Sequence, residues 1–75
     1  MTHDQAVVLA AVLMAPKSGW ESWQVGLFLH NVRKPEQGFG SREQLVLRVL
    51  PVLNELLEAG KIERRGMRWH PARRK

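Results

Sequence analysis

Leu53-Asn54-Glu55-Leu56-Leu57-Glu58-Ala59-Gly60-Lys61-Ile62-Glu63-Arg64-Arg65-Gly66-Met67-Arg68-Trp69-His70 changes its period in mid-course. Up to Ala59 the apolar residues recur at helical spacing. Val46, Leu50, Leu53 and Leu57 make one stripe, with Leu45, Val49, Val52 and Leu56 beside it. After Gly60, which is placed to cap the helix, the period falls to two, the mark of a β-hairpin. With Arg65 and Gly66 as the turn, Arg64 is expected to pair with Met67, and Ile62 to stand opposite Trp69. The face bearing Ile62 and Trp69 should rest on the helices. Lys61, Glu63, Arg65, Arg68 and His70 then face outward, and Pro71 closes the strand.

Working back from this stretch, Ser41 and Gln44 have capping-box spacing and open the helix, the third in the chain. Its polar side is Gln44, Arg48, Pro51, Glu55 and Glu58. Pro51 removes one intrahelical hydrogen bond there, which is relieved by bending or by water, or else the segment divides into two shorter helices. Arg33 to Gly40 has no period and contains three helix breakers, so it reads as a loop. Before it, Val25, Phe28, Leu29 and Val32 fall on one helical face, with Ser22 as the expected N-cap and an end near Asn31. Gly26 beside that face is either a point of close helix approach or an ordinary tolerated glycine. At the start, Thr2 and Gln5 repeat the capping-box spacing ahead of an apolar run from Ala6 to Ala15 that ends before Pro16. That run is apolar around most of its circumference, which predicts a central core helix or a dimer contact.

The expected fold is therefore mainly α with a C-terminal β-hairpin, an α+β domain over residues 1–71 followed by a basic tail at 72–75. A length of 75 residues holds one modest core, and 44% apolar with 25% charged residues is the balance of a chain that folds. There is no cysteine, which removes disulfides and thiolate metal sites and suits a reducing compartment such as the cytoplasm. The apolar run is shorter than the roughly 20 residues that span a bilayer, so no membrane partner is expected. It also lacks the positive charge that precedes a signal core. Charge is unevenly placed. Residues 61–75 carry Lys61, Arg64, Arg65, Arg68, Arg73, Arg74 and Lys75 against Glu63, a net of +6, whereas residues 1–30 come to −1 and 31–60 to zero. Concentration of this kind makes a focused footprint for a polyanion, or a solubilising tail.

Three helices followed by a hairpin, joined through Leu56, Leu57, Glu58, Ala59, Gly60, Lys61, Ile62, Glu63, Arg64, Arg65 and Gly66, resemble the winged helix-turn-helix family of prokaryotic DNA-binding domains. The resemblance implies that helix 3 approaches the major groove of double-stranded DNA, where Arg42, Gln44 and Arg48 reach base edges or phosphates. It implies a wing and tail, Arg64, Arg65, Arg68, Arg73, Arg74 and Lys75, on the sugar-phosphate backbone or minor groove. Gly40 and Ser41, with free N–H groups at a helix start, are a candidate phosphate seat. The function implied is that of a small bacterial or phage transcriptional regulator, with a homodimer as an option.

The rival reading is a winged-helix module that grips a large protein partner such as RNA polymerase or a nuclease. The long loop before helix 3, Pro51 and the near-neutral helix 3 favour it. Trp69 reads as a core residue, and Trp20 and Trp23 as packing residues or partner anchors. His3, His30 and His70 lie in three different elements without cysteine or paired spacing, so neither metal, cofactor nor catalytic centre is expected.

Overall fold

Each helix begins where a side chain can take up a free backbone N–H, and the computed structural model, which describes residues 1–72, shows how. In α1 (His3–Met14) the capping box is complete. Thr2 Oγ1 accepts from the Gln5 N–H at 3.1 Å, and the Thr2 N–H donates to Gln5 Oε1 at 2.9 Å. In α3 (Arg42–Glu58) only the first half of the box forms, Ser41 Oγ accepting from the Gln44 N–H at 3.3 Å. Between them, α2 (Ser22–Arg33) is capped by Glu21 and not by Ser22. The Ser22 hydroxyl has other work: its Oγ accepts the indole N–H of Trp69 at 2.9 Å.

α3 ends in a Schellman motif. The Gly60 N–H donates to Leu57 O and the Lys61 N–H to Leu56 O, both at 3.0 Å, with Gly60 at φ +73°. The chain leaves this turn directly into β2 (Ile62–Arg65) and returns as β3 (Arg68–Pro71). A third strand, β1 (Trp20–Glu21), is absent from the sequence reading. It pairs antiparallel with β3, Trp20 opposite Trp69, to give a sheet in the order β1-β3-β2.

The hairpin register differs from expectation by two residues. Arg65 pairs with Arg68 and Arg64 with Trp69, while Ile62 stands opposite Pro71, so the turn is Gly66-Met67. Gly66 has φ +61° and no other residue type has positive φ among the described residues. An Arg65-Gly66 turn of type I′ needs positive φ at arginine too, whereas a type II′ turn needs it only at its first residue, here glycine. A slip of two leaves the faces unchanged. Ile62 and Trp69 are buried and Lys61, Arg65 and Arg68 are exposed, as the alternation predicts.

The core joins Val8, Ala11 and Val12 of α1, Val25 and Leu29 of α2, Val49, Leu53 and Leu56 of α3, and Ile62 and Trp69 of the hairpin. On α3 the buried stripe is Leu45, Val49, Leu53 and Leu56, displaced from the expected one: Val46 and Leu50 are half-buried and Leu57 is exposed. α1 packs on α2, α3 and β3, with Val8, Ala11 and Val12 buried and Val7, Leu9 and Ala10 half-buried. Leu13 and Met14 stand in solvent at its last turn, so it is a core helix that is not covered around its whole circumference. Pro51 sits on the exposed side of an unbroken α3, and the two-helix alternative falls away. Among the described residues no helix is long and apolar enough to cross a membrane.

Candidate nucleic-acid interface

The residues that the sequence marks for DNA contact occupy three separate places. At about 100° per residue, Gln44 lies about 160° and Arg48 about 120° around α3 from Arg42. Gln44 and Arg48, four residues apart, therefore lie within about 40° of each other, and Arg42 stands apart from both. Arg42 turns toward α2, its guanidinium carbon 4.0 Å from the centroid of the Trp23 ring. Arg48 turns the other way and shares a small cleft with Leu29, His30, Arg33 and Lys34 at the end of α2. The Gln44 side-chain oxygen lies against Gly40. The outermost ridge of α3 is left to Leu47, Pro51, Asn54 and Glu58, all exposed and none basic.

At the expected phosphate seat, Gly40 and Ser41 are exposed and part of the space is taken by Gln44. Ser41 Oγ already takes the Gln44 N–H, and the Gln44 amide covers Gly40, which is held at φ +78°. The loop before it is pinned as well. The ring Nε2 of His30, a residue 4% exposed, lies 2.7 Å from Gln37 O. A carbonyl oxygen can only accept, so the proton sits on Nε2. Phe39 meets the same ring edge-on at 6.4 Å between centroids.

The hairpin arginines divide between its two faces. Arg64 lies on the helix-facing side, its Nε–H donating to Gly66 O at 3.0 Å and its guanidinium carbon 5.4 Å from the Trp69 centroid. Arg65 and Arg68 lie on the outward side. Arg68 donates from Nη1 to Gly19 O at 3.1 Å, and Arg65 pairs with Glu63 at 2.5 Å. An open cleft brings Arg65 and His70 beside Lys17, in the loop after α1, and runs along Pro71 to Ala72. Lys17 gave no sign of this in the sequence, because only the β1–β3 pairing carries its loop across the sheet. Among the described residues the outward side thus holds three cations, Lys17, Arg65 and Arg68, against Glu63, and Glu21 stands across from Arg68 in register, while Lys61, just ahead of β2, lines a separate cleft with Leu9 and Leu13 of α1. Arg73, Arg74 and Lys75 lie outside the described residues.

No group of three or more histidine, aspartate or glutamate side chains is placed to hold a metal ion among the described residues. Another ion pair ties the first two helices, Arg33 to Asp4 at 2.5 Å. The Gln5 amide also reaches the Glu55 carboxylate across α1 and α3. Comparison with family models, curated proteins and solved structures finds no match to this chain.

Proposed function

We propose that this chain is a winged helix-turn-helix domain that binds double-stranded DNA chiefly through its phosphates, on the outward face of the hairpin. One observation carries the reading: Lys17, Arg65 and half-buried His70 line one cleft on the side of the sheet turned away from Ile62 and Trp69, and Arg68 lies on the same side in register with Arg65. The architecture, three helices with a hairpin braced on them, is compatible with that class. The chain runs from this face into Arg73, Arg74 and Lys75, which extends the same positive charge along the sequence.

Phosphate recognition asks little of the site beyond accessible cations, and here two of them are restrained. The Arg68 bond to Gly19 O holds the guanidinium while leaving further N–H groups for an anion. The Arg65–Glu63 pair is exposed, and such pairs contribute about 0–1 kcal/mol, so a phosphate can draw Arg65 away at small cost. Base reading is a different matter. A recognition helix must present its contacts free and together, whereas Arg42 is turned away onto Trp23, Gln44 lies against Gly40 and Arg48 lines the cleft at the end of α2, so weak discrimination between sequences is the expected outcome. A regulator of one promoter is the less favoured form of this proposal.

The test is a salt titration of binding to random duplex DNA. If about five cations neutralise phosphates, log affinity falls against log salt with a slope near −4 to −5. The double variant Arg65→Glu/Arg68→Glu should lose at least roughly tenfold in affinity at low salt and flatten the slope by about 2. Equal binding by the variant would sink the proposal.

A further inference from the structure

The structure assigns a second binding face to this domain: we infer that the groove between α3 and the tip of the hairpin receives an acidic, amphipathic segment of a protein partner. This goes beyond the DNA reading and uses the opposite side of the hairpin. Two depressions meet there, sharing Trp23 and Val46 in their walls. Half-buried Trp23, Val46 and Leu50 form the floor. Leu47 on one rim and Met67 on the other are 72% and 73% exposed, the most open of the large apolar side chains. Single exposed apolar residues are ordinary; a groove rimmed by two from different elements, over an apolar floor, is the shape that takes the anchors of an amphipathic helix.

The charges at its margins say which kind. Arg42 and Arg64 stand at the two ends, one stacked on Trp23 and the other held by Gly66 O beside Trp69. Stacking uses the flat faces of a guanidinium and leaves its N–H edge for a carboxylate. Held in place beforehand, these arginines lose less freedom on binding than free ones would. Neither is joined to an acid by an ion pair among the described residues. Two acids share the groove's walls, Glu43 beside Arg42 and Glu21 beside Arg64; they stand in the first turn of α3 and at the N-cap of α2, where the positive end of a helix dipole offsets their charge and leaves the arginines to set the sign. DNA is poorly served by the same groove, since its floor offers nothing that donates to a phosphate or a base edge beyond the indole of Trp23.

The experiment uses the full chain and two synthetic peptides. Both carry leucine and phenylalanine at helical spacing; one has glutamate elsewhere and the other lysine. Anisotropy of the labelled peptides should show the glutamate form binding at least roughly tenfold more tightly than the lysine form. Shift changes in NMR spectra should concentrate on the Trp23 indole and the Leu47 and Met67 methyl groups. Leu47→Asp and Met67→Glu, at sites open enough to spare the fold, should each weaken binding by roughly tenfold with an unchanged thermal melt. Arg65→Glu/Arg68→Glu should retain the peptide at physiological salt, so failure of the DNA reading and failure of this one are separate results. Three outcomes would overturn it: equal binding of both peptides, shifts centred elsewhere, or Leu47 and Met67 signals that follow protein concentration instead of peptide, which would mark the groove as a contact between copies of the chain.

Discussion

A β-carbon on Gly26 would lie 2.7 Å from the carbonyl oxygen of Leu45 and 2.9 Å from its β-carbon. The glycine therefore marks a point of close approach between α2 and α3, and the alternative of a merely tolerated glycine is set aside. Alanine gains about 1 kcal/mol of helix propensity there but must push apart a backbone contact, and overpacking costs about 1–3 kcal/mol. Gly26→Ala is accordingly expected to destabilise the fold by up to about 2 kcal/mol, read from urea unfolding; a more stable variant would mean the helices part freely. Ser22 is a second case in which one atom matters. Trp69 is fully buried and its indole N–H has the Ser22 hydroxyl as acceptor. Ser22→Ala leaves that donor unmatched, a loss of about 1–3 kcal/mol, whereas Ser22→Thr keeps the oxygen and should stay closer to the parent in the same measurement.

At the scale of elements, the readable features are those encoded locally. The helix starts at Thr2 and Ser41, the stop at Gly60 and the change of period after it need only neighbouring residues, and all four stand in the structure. What escaped depends on distant partners. β1 is two residues long and exists because β3 lies beside it, so no period can announce it. The buried stripe of α3 is chosen by where α2 and the hairpin sit, and its two adjacent apolar rows left that choice open. The candidate site suffered most for the same reason: a helical wheel places Arg42 and Arg48, but only packing reveals that one meets Trp23 and the other the end of α2. Pro51 gives a prediction at this scale. It lies exposed within an unbroken helix, so Pro51→Ala restores a backbone hydrogen bond without disturbing the core. Interior proline costs about 3 kcal/mol relative to alanine, partly offset by up to about 1 kcal/mol of unfolded-state entropy. A gain of roughly 2–3 kcal/mol in thermal unfolding is expected, and a loss would show that α3 needs a bend at this residue. The turn gives another. Gly66 has open space around it but positive φ, so Gly66→Ala should cost about 1 kcal/mol and Gly66→Asn less, whereas a steric cause would reverse that order.

For the molecule as a whole, the hairpin is a wall of the core as well as a surface. Ile62 and Trp69 are 2% and 0% exposed, and they close the end of the bundle formed by Val8, Val12, Leu53 and Leu56. This double duty explains why the hairpin's two faces differ: the side that packs on the helices is apolar at Ile62 and Trp69 and carries charge only at exposed Arg64 near the tip, while Arg65 and Arg68 lie on the other. It also sets what truncation must do. A domain of 75 residues has roughly 4–11 kcal/mol of stability in hand. Losing a buried isoleucine side chain removes roughly 2–5 kcal/mol and a buried tryptophan roughly 3–5 kcal/mol. Those losses are of the same size as the total, so a chain ending at Gly60 is expected to have no cooperative thermal transition, its helical circular dichroism declining gradually on heating. Trp69→Ala in the full chain should lie between this and the parent, with a lowered but still measurable midpoint. If the shortened chain instead melts cooperatively near the temperature of the parent, the three helices bury a sufficient core alone, and the hairpin is an appendage whose charge can vary without regard to folding.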